Sequence, residues 1–306
     1  MPRKQRIEYP GAVYHVISRG NYRKELFLNH GTGAAFEDCL FETVERCGWK
    51  LHAYVIMSNH YHLALETPEP NLVMGMKWLQ STFATRFNRF RMERGHVFQG
   101  RYKAILIGED RPLLGLVDYV HLNPVRAGIC PLPKLADYAL SSYPKYFRRT
   151  IREGLCREDF LSILGAPNTV AGMRRYAKHL ELREEGDPKR RDALARRYCR
   201  GWFIGAKEEK KALEKDLREK HPDVVWEGSG LKELNEAMWE GLVEQAIAAA
   251  GKTETDLRSD RKGAPWKAKI ARELRIRTTA GNPWIAKRLN MGHPSRVTNL
   301  IREHSK

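Results

Sequence analysis

Two histidines separated by one residue, His60 and His62, lie in the run Asn59-His60-Tyr61-His62-Leu63-Ala64-Leu65. In a strand, residues two apart point the same way. His60, His62 and Ala64 then share one face, and Tyr61, Leu63 and Leu65 the other. Two imidazoles about 7 Å apart at their Cα atoms can converge on one divalent ion. Two half-exposed histidines on a sheet, or imidazolium contacts to phosphate, fit the same spacing. A second segment, Tyr119 to Ala127, places Tyr119 and Asn123 four residues apart on one helix face, and Pro124 ends that helix nearby. A tyrosine beside a metal near a helix end can act as a nucleophile. Its hydroxyl, with a pKa of about 10, needs a Lewis acid or a cationic setting to do so at neutral pH. Asn123 could offer its amide oxygen as a third metal ligand. The alternative for Tyr119 is a core residue packed against a sheet.

These residues need elements to hold them. Strands are predicted over 14–18, 51–57, 60–66 and 101–107, the middle two joined as a hairpin by Met57-Ser58-Asn59. Helices are predicted over 35–47, stopped by Gly48, over a long stretch from Asn71 with Leu72, Met76, Leu79, Phe83, Phe87 and Phe90 at spacings of three and four, and from Pro112 to about Asn123, capped by Asp110. The order β-α-β-β-α-β-α, with right-handed crossovers, predicts an α+β, ferredoxin-like antiparallel sheet. The two crossover helices should cover the Tyr61 face and leave the histidine face uncovered. Beyond about residue 150 strand patterns vanish and an all-helical region is expected. There 184–189 reads as a loop, 206–220 as a charged surface helix and 231–250 as a helix with a buried face.

The chain has 306 residues and a net charge of +17, a balance that favours a polyanionic partner, most commonly nucleic acid. Its five cysteines form no C-x-x-C pair, which speaks against a disulfide framework or a zinc finger and for a reducing cytoplasm. No signal peptide and no run of transmembrane length is evident, so a membrane partner is not expected.

Four ordered blocks carry a resemblance: Tyr14-His15-Val16 followed by Arg19-Gly20-Asn21; Met57-Ser58-Asn59-His60-Tyr61-His62; Phe98-Gln99-Gly100-Arg101-Tyr102-Lys103; and the run from Tyr119 to Gly128. Over roughly residues 1–150 the chain resembles the HUH single-tyrosine transposases, in the branch of REP-associated tyrosine transposases. The resemblance implies that His60 and His62 bind Mg²⁺ or Mn²⁺, that Asn123 completes the metal site and that Tyr119 is the nucleophile. It implies cleavage of single-stranded DNA next to a hairpin through a 5′-phosphotyrosine, in a bacterial cytoplasm at the nucleoid. The absence of a G-x-x-x-x-G-K-[ST] loop fits a reaction that needs no ATP. Tyr61 is a second phenol, but its strand direction points it away from His60 and His62.

Candidate DNA contacts are Arg19, Arg23, Lys24, Arg86, Arg89, Arg101 and Lys103, with Tyr22, Phe98 and Tyr102 placed among them for base stacking. A solvated basic face is the alternative for any one cation. At the C-terminal end, helices over 266–275, 282–290 and 296–303, the last capped by Ser295, suggest a helix-turn-helix, with Arg296, Thr298, Asn299 and Arg302 facing duplex DNA. The expected organisation is a catalytic domain over 1–150, a helical region over 151–250 and a helix-turn-helix-like domain over 251–306. Monomer and homodimer both remain open. A DNA-binding regulator that keeps the transposase fold without catalysis is the competing class.

Overall fold

A computed structural model of the chain describes residues 6–109, 112–185, 198–199, 201–220, 232–278 and 280–303. The chain divides into two compact units, 7–210 and 211–306 with the first six residues.

The larger unit is α+β. Four strands, β1 Ala12–Arg19, β2 Lys50–Ile56, β3 His60–Thr67 and β4 Lys103–Ile107, alternate with α1 His30–Cys47 and α2 Leu72–Arg91. A two-residue β5, Phe203–Ile204, completes a five-stranded sheet of order β2-β3-β1-β4-β5. The first four strands pair antiparallel. β5 joins β4 in parallel, so the region beyond residue 150 is not wholly helical as the sequence suggested. The signal was too short to read, because two residues show no period.

Strand alternation sorts the side chains. Tyr14, Val16 and Ser18 pair across from Leu65, Leu63 and Tyr61 and share their face. Phe36 of α1 and Phe83 of α2 pack there, the Phe36 and Tyr61 rings 4.5 Å apart. Gln80 of α2 donates to Ser18 Oγ and Tyr61 Oη at 2.9 and 3.0 Å. Tyr61 is thereby spent on the core side, away from the histidines.

The opposite face was expected to be uncovered, and it is not. α3, Pro112–His121, lies against β2 and β3, and every residue from Leu116 to His121 is buried. A helix apolar on all sides must be buried on all sides. Its outer side is taken by α6 Glu158–Ile163 and α7 Val170–Glu184, through which His121 meets Tyr176 and Asp118 meets His179 and Arg183. α3 stops at His121, two residues before the expected end, and Asn123-Pro124 opens the one-turn α4, Asn123–Arg126. The expected Asp110 cap, and residues 186–189 of the expected loop, lie outside the described residues. The free edge of β2 is closed by 140–142, which lead into the four-residue α5 Ser142–Lys145, and by 154–156, which removes an exposed pairing edge.

α8, Lys207–Lys220, follows β5, and the smaller unit then holds α9 Lys232–Ala249, α10 Glu254–Ser259, α11 Pro265–Arg277, α12 Asn282–Arg288 and α13 Pro294–Glu303. Its core is Val243, Ile247, Leu257, Ile270, Leu274, Ile285, Leu289, Val297 and Leu300 among others. Between α12 and α13 the chain turns through Asn290 and Gly292, both at positive φ. Ser295 sits inside the first turn of α13 and is not its cap. No helix among the described residues is long and apolar enough to cross a membrane.

Candidate active site

β3 presents His60 and His62 on the α3 side, their ring centroids 5.0 Å apart. β1 brings a third imidazole to them. His15 pairs with Ala64, two pairs along from Ile17 and His62 and so on the same face as His62. Its ring stacks on His62 at 5.1 Å, and its Nε2 lies 2.9 Å from His62 Nδ1. α3 then lowers Tyr119 onto both rings, at 5.4 Å from His62 and 5.5 Å from His15.

The hydrogen bonds fix which nitrogens are free to ligate. The Tyr198 carbonyl can only accept, so His15 Nδ1, 2.7 Å away, carries the proton. In a neutral ring His15 Nε2 must then accept, so His62 Nδ1 donates to it and His62 Nε2 keeps its lone pair. At His60, Nδ1 donates to Asn59 Oδ1 at 2.7 Å, and again Nε2 is the lone-pair nitrogen. Burial holds all three rings neutral: His15 is lowered to about 4, His60 to about 4 with help from Arg19, and His62 well below its ordinary value. Both candidate ligands are therefore in the protonation state that binds a cation.

Tyr119 is only 8% exposed. Its hydroxyl lies 3.0 Å from Cys199 Sγ, and its ring stacks on Tyr198 at 5.5 Å. Lys103 Nζ donates to the Cys199 carbonyl. Residues 198–199 thus cover the phenol. Burial, and next the neighbouring Cys199, push its pKa well up, while Arg126, 5.7 Å over the ring, works the other way. Asn123 is placed with Tyr119: its Nδ2 donates to the Tyr119 carbonyl at 2.8 Å, which leaves its Oδ1 as the acceptor end.

The proposed DNA contacts divide. Arg19 is exposed beside His60, its register partner, and Arg23 and Arg89 are exposed. Lys24 is paired with Glu93 at 2.7 Å, and Arg86 is held by both oxygens of Glu42 between α1 and α2. Arg101 is exposed, and Lys103 is half-buried against the 198–199 cover. Of the three stacking candidates, Tyr22 is 91% exposed, but Phe98 and Tyr102 are buried. They fill the core because a residue flanking a short strand faces inward as easily as outward, which spacing does not reveal. On α13, Arg296, Asn299 and Arg302 are exposed, while Thr298 Oγ1 accepts from Arg275 and Asn282. Sequence reasoning missed His15, Tyr198 and Cys199. A lone polar residue in the apolar strand 12–17 was the available hint for His15; nothing local marks the other two. Among the described residues one trio of His, Cys and Asp donor atoms lies within 4.8 Å, and it is His52, Cys156 and Asp159, apart from the imidazoles above.

Comparison with known proteins agrees with the resemblance. Residues 9–123 match the family model "Transposase IS200 like". A Haemophilus influenzae protein assigned as a REP-associated tyrosine transposase is 26% identical over 136 residues, 41% of this chain and 74% of that protein. A solved REP-associated tyrosine transposase bound to a REP hairpin is 16% identical, with TM-score 0.41 over 50% of this chain and 90% of its own. A transposase structure from Deinococcus radiodurans is 20% identical, with TM-score 0.29 over 42% and 92%.

Proposed function

From the match of residues 9–123 to the IS200-like transposase model, we propose that this chain cleaves and rejoins single-stranded DNA at hairpin-forming repeats, through a 5′-phosphotyrosine on Tyr119. The observation that supports this most directly is the approach of the Tyr119 ring to His62 and His15 on the sheet face that also carries His60. We read β2-β3-β1-β4 with α1 and α2 as a ferredoxin-like core, residues 1–150 as the catalytic domain, 151–250 as a region that is helical apart from β5 and α12–α13 within 251–306 as a helix-turn-helix for duplex DNA.

The residues present suit a divalent cation. His60 and His62 each offer a neutral Nε2, and Asn123 offers a carbonyl oxygen, a set open to Mg²⁺ or Mn²⁺. An ion held by these residues would supply Lewis-acid stabilisation of the charge that develops on the phosphate. Tyr119 Oη forms the new bond to phosphorus, its proton passing to solvent. The 3′-oxygen leaves with the bonding pair and takes a proton. Attack of a 3′-hydroxyl on the phosphotyrosine reverses the step and frees Tyr119. Each bond broken is replaced by a similar one, so no nucleotide cofactor is needed.

The second reading, a DNA-binding regulator without catalysis, is favoured by one feature: Tyr119 lies covered by Tyr198 and Cys199. One experiment separates the two. The full chain is incubated with labelled hairpin DNA and Mn²⁺, resolved on a denaturing gel, and any adduct is mapped by peptide. The expected result is an adduct on Tyr119 that vanishes in Tyr119→Phe while DNA binding stays within about twofold, since only a hydroxyl is lost. Tight binding without an adduct on any hairpin supports the regulator.

A further inference from the structure

Down β3 from the imidazoles, the same sheet face continues through Ala64 to Glu66, about 13 Å beyond His62 at strand rise. Here β2 and β3 lose register between Leu51 and Ala53, and His52 is the extra residue of the bulge. Bulges re-aim a side chain. This one turns His52 inward, where it is 1% exposed and neither ring nitrogen makes a hydrogen bond. A buried imidazole with both nitrogens unspent is costly.

What faces those nitrogens is a set of donors. Nδ1 lies 3.5 Å from Asp159 Oδ2, and Cys156 Sγ lies 3.1 Å from the same oxygen. All three ligating atoms fall within 4.8 Å of one another. Nε2 points at Glu66 Oε2, 3.7 Å away, and Glu66 is itself held by Lys50 at 2.9 Å. The backbone around the group is pinned. Leu51 exchanges hydrogen bonds with Gly154 and Cys156, and Tyr146 Oη donates to the Leu51 and His52 carbonyls. Asp159 stands in the first turn of α6, three residues after Cys156. Its side chain, 41% exposed, opens the group to solvent.

We propose that His52 Nδ1, Cys156 Sγ and Asp159 Oδ2 bind one Zn²⁺ ion, with water in the fourth position. Tetrahedral zinc with bonds of about 2.1 Å to nitrogen or oxygen and about 2.3 Å to sulfur sets its donors about 3.4–3.6 Å apart. The Nδ1–Oδ2 separation of 3.5 Å already fits that, the Sγ–Oδ2 separation of 3.1 Å is that of the hydrogen bond zinc would replace, and Nδ1 and Sγ lie within 4.8 Å of each other. Binding takes the thiol as thiolate, its proton passing to solvent, and breaks the Cys156–Asp159 hydrogen bond. The thiolate and carboxylate neutralise the ion. Glu66 Oε2, 3.7 Å from His52 Nε2, stands where the outer carboxylate of such histidines commonly does. A thiolate and an imidazole select zinc over the hard, oxygen-seeking Mg²⁺, so this site is chemically distinct from the one proposed at His60 and His62. Its role is to fasten the 154–159 segment and α6 to the edge of the sheet.

The test is Co²⁺ titration of the metal-stripped full chain, followed by absorption. The expected result is a thiolate-to-cobalt charge-transfer band saturating at one ion per chain, displaced by Zn²⁺. The band should vanish in Cys156→Ser, an almost isosteric change, and persist in Cys199→Ser and Cys130→Ser. Asp159→Asn, at a half-open position, should weaken cobalt binding about 10–100-fold. Zinc should raise the Tm of the wild type and leave that of Cys156→Ser unmoved. A wild type without the band, or a band that survives Cys156→Ser, overturns the proposal.

Discussion

His15 shows how much a single side chain can decide. It touches neither solvent nor, in the proposed site, the cation, yet it sets the tautomer of His62 by relaying the Tyr198 carbonyl. Partners of this kind commonly tune metal affinity by 10–100-fold. His15→Phe should therefore weaken Mn²⁺ binding by about that factor, because His62 Nδ1 loses its acceptor. His15→Gln, which restores a carbonyl oxygen, should recover most of it. Titration of the DNA-free chain followed by electron paramagnetic resonance gives the answer. Equal losses in the two variants would show that packing, and not the hydrogen bond, is what matters.

At the scale of elements, α3 and the 198–199 cover act on each other. A DNA phosphate can reach Tyr119 only where Tyr198 and Cys199 make room, since the phenol is 8% exposed beneath them. Gly115 of α3 is what lets Tyr198 lie so close: a Cβ there would meet its hydroxyl at 2.1 Å. Gly115→Ala should displace the ring, which is the free end of a side chain, and favour α3 by up to about 1 kcal/mol of helix propensity. The expected outcome is faster adduct formation in a single-turnover assay, matched by Tyr198→Ala, with no loss of thermal stability. Slower formation in both would mean that Tyr198 helps to hold the substrate.

For the whole molecule the buried histidines set an acid limit. Burial depresses His15 and His60 to about 4 and His121 to about 3. The unfolded chain, with its histidines at about 6.5, takes up protons first as the pH falls. Stability from these groups is therefore complete above about 6.5 and is lost as the pH falls toward 4. Each should cost about 2 kcal/mol between pH 7 and 5. Urea unfolding of His121→Gln should show a fall smaller by about that amount; an unchanged fall would mean that His121 already charges in the folded chain. The charge of +17 acts at the same scale, and DNA binding should weaken steeply with salt.

Local rules reached a long way. Period-two alternation separated His60 and His62 from Tyr61, helical spacing joined Tyr119 to Asn123, and four ordered blocks pointed to the transposase family, because each depends only on near neighbours along the chain. What local rules could not carry was anything made by distant segments. The cover on the histidine face comes from residues 112–121 and 198–199, the third imidazole from the register between β1 and β3, and the His52 group from a bulge on one strand and a loop a hundred residues later. Phe98 and Tyr102 went inward for the same reason. Which side of a residue is wet is settled by what packs there, and that partner is chosen only when the chain folds.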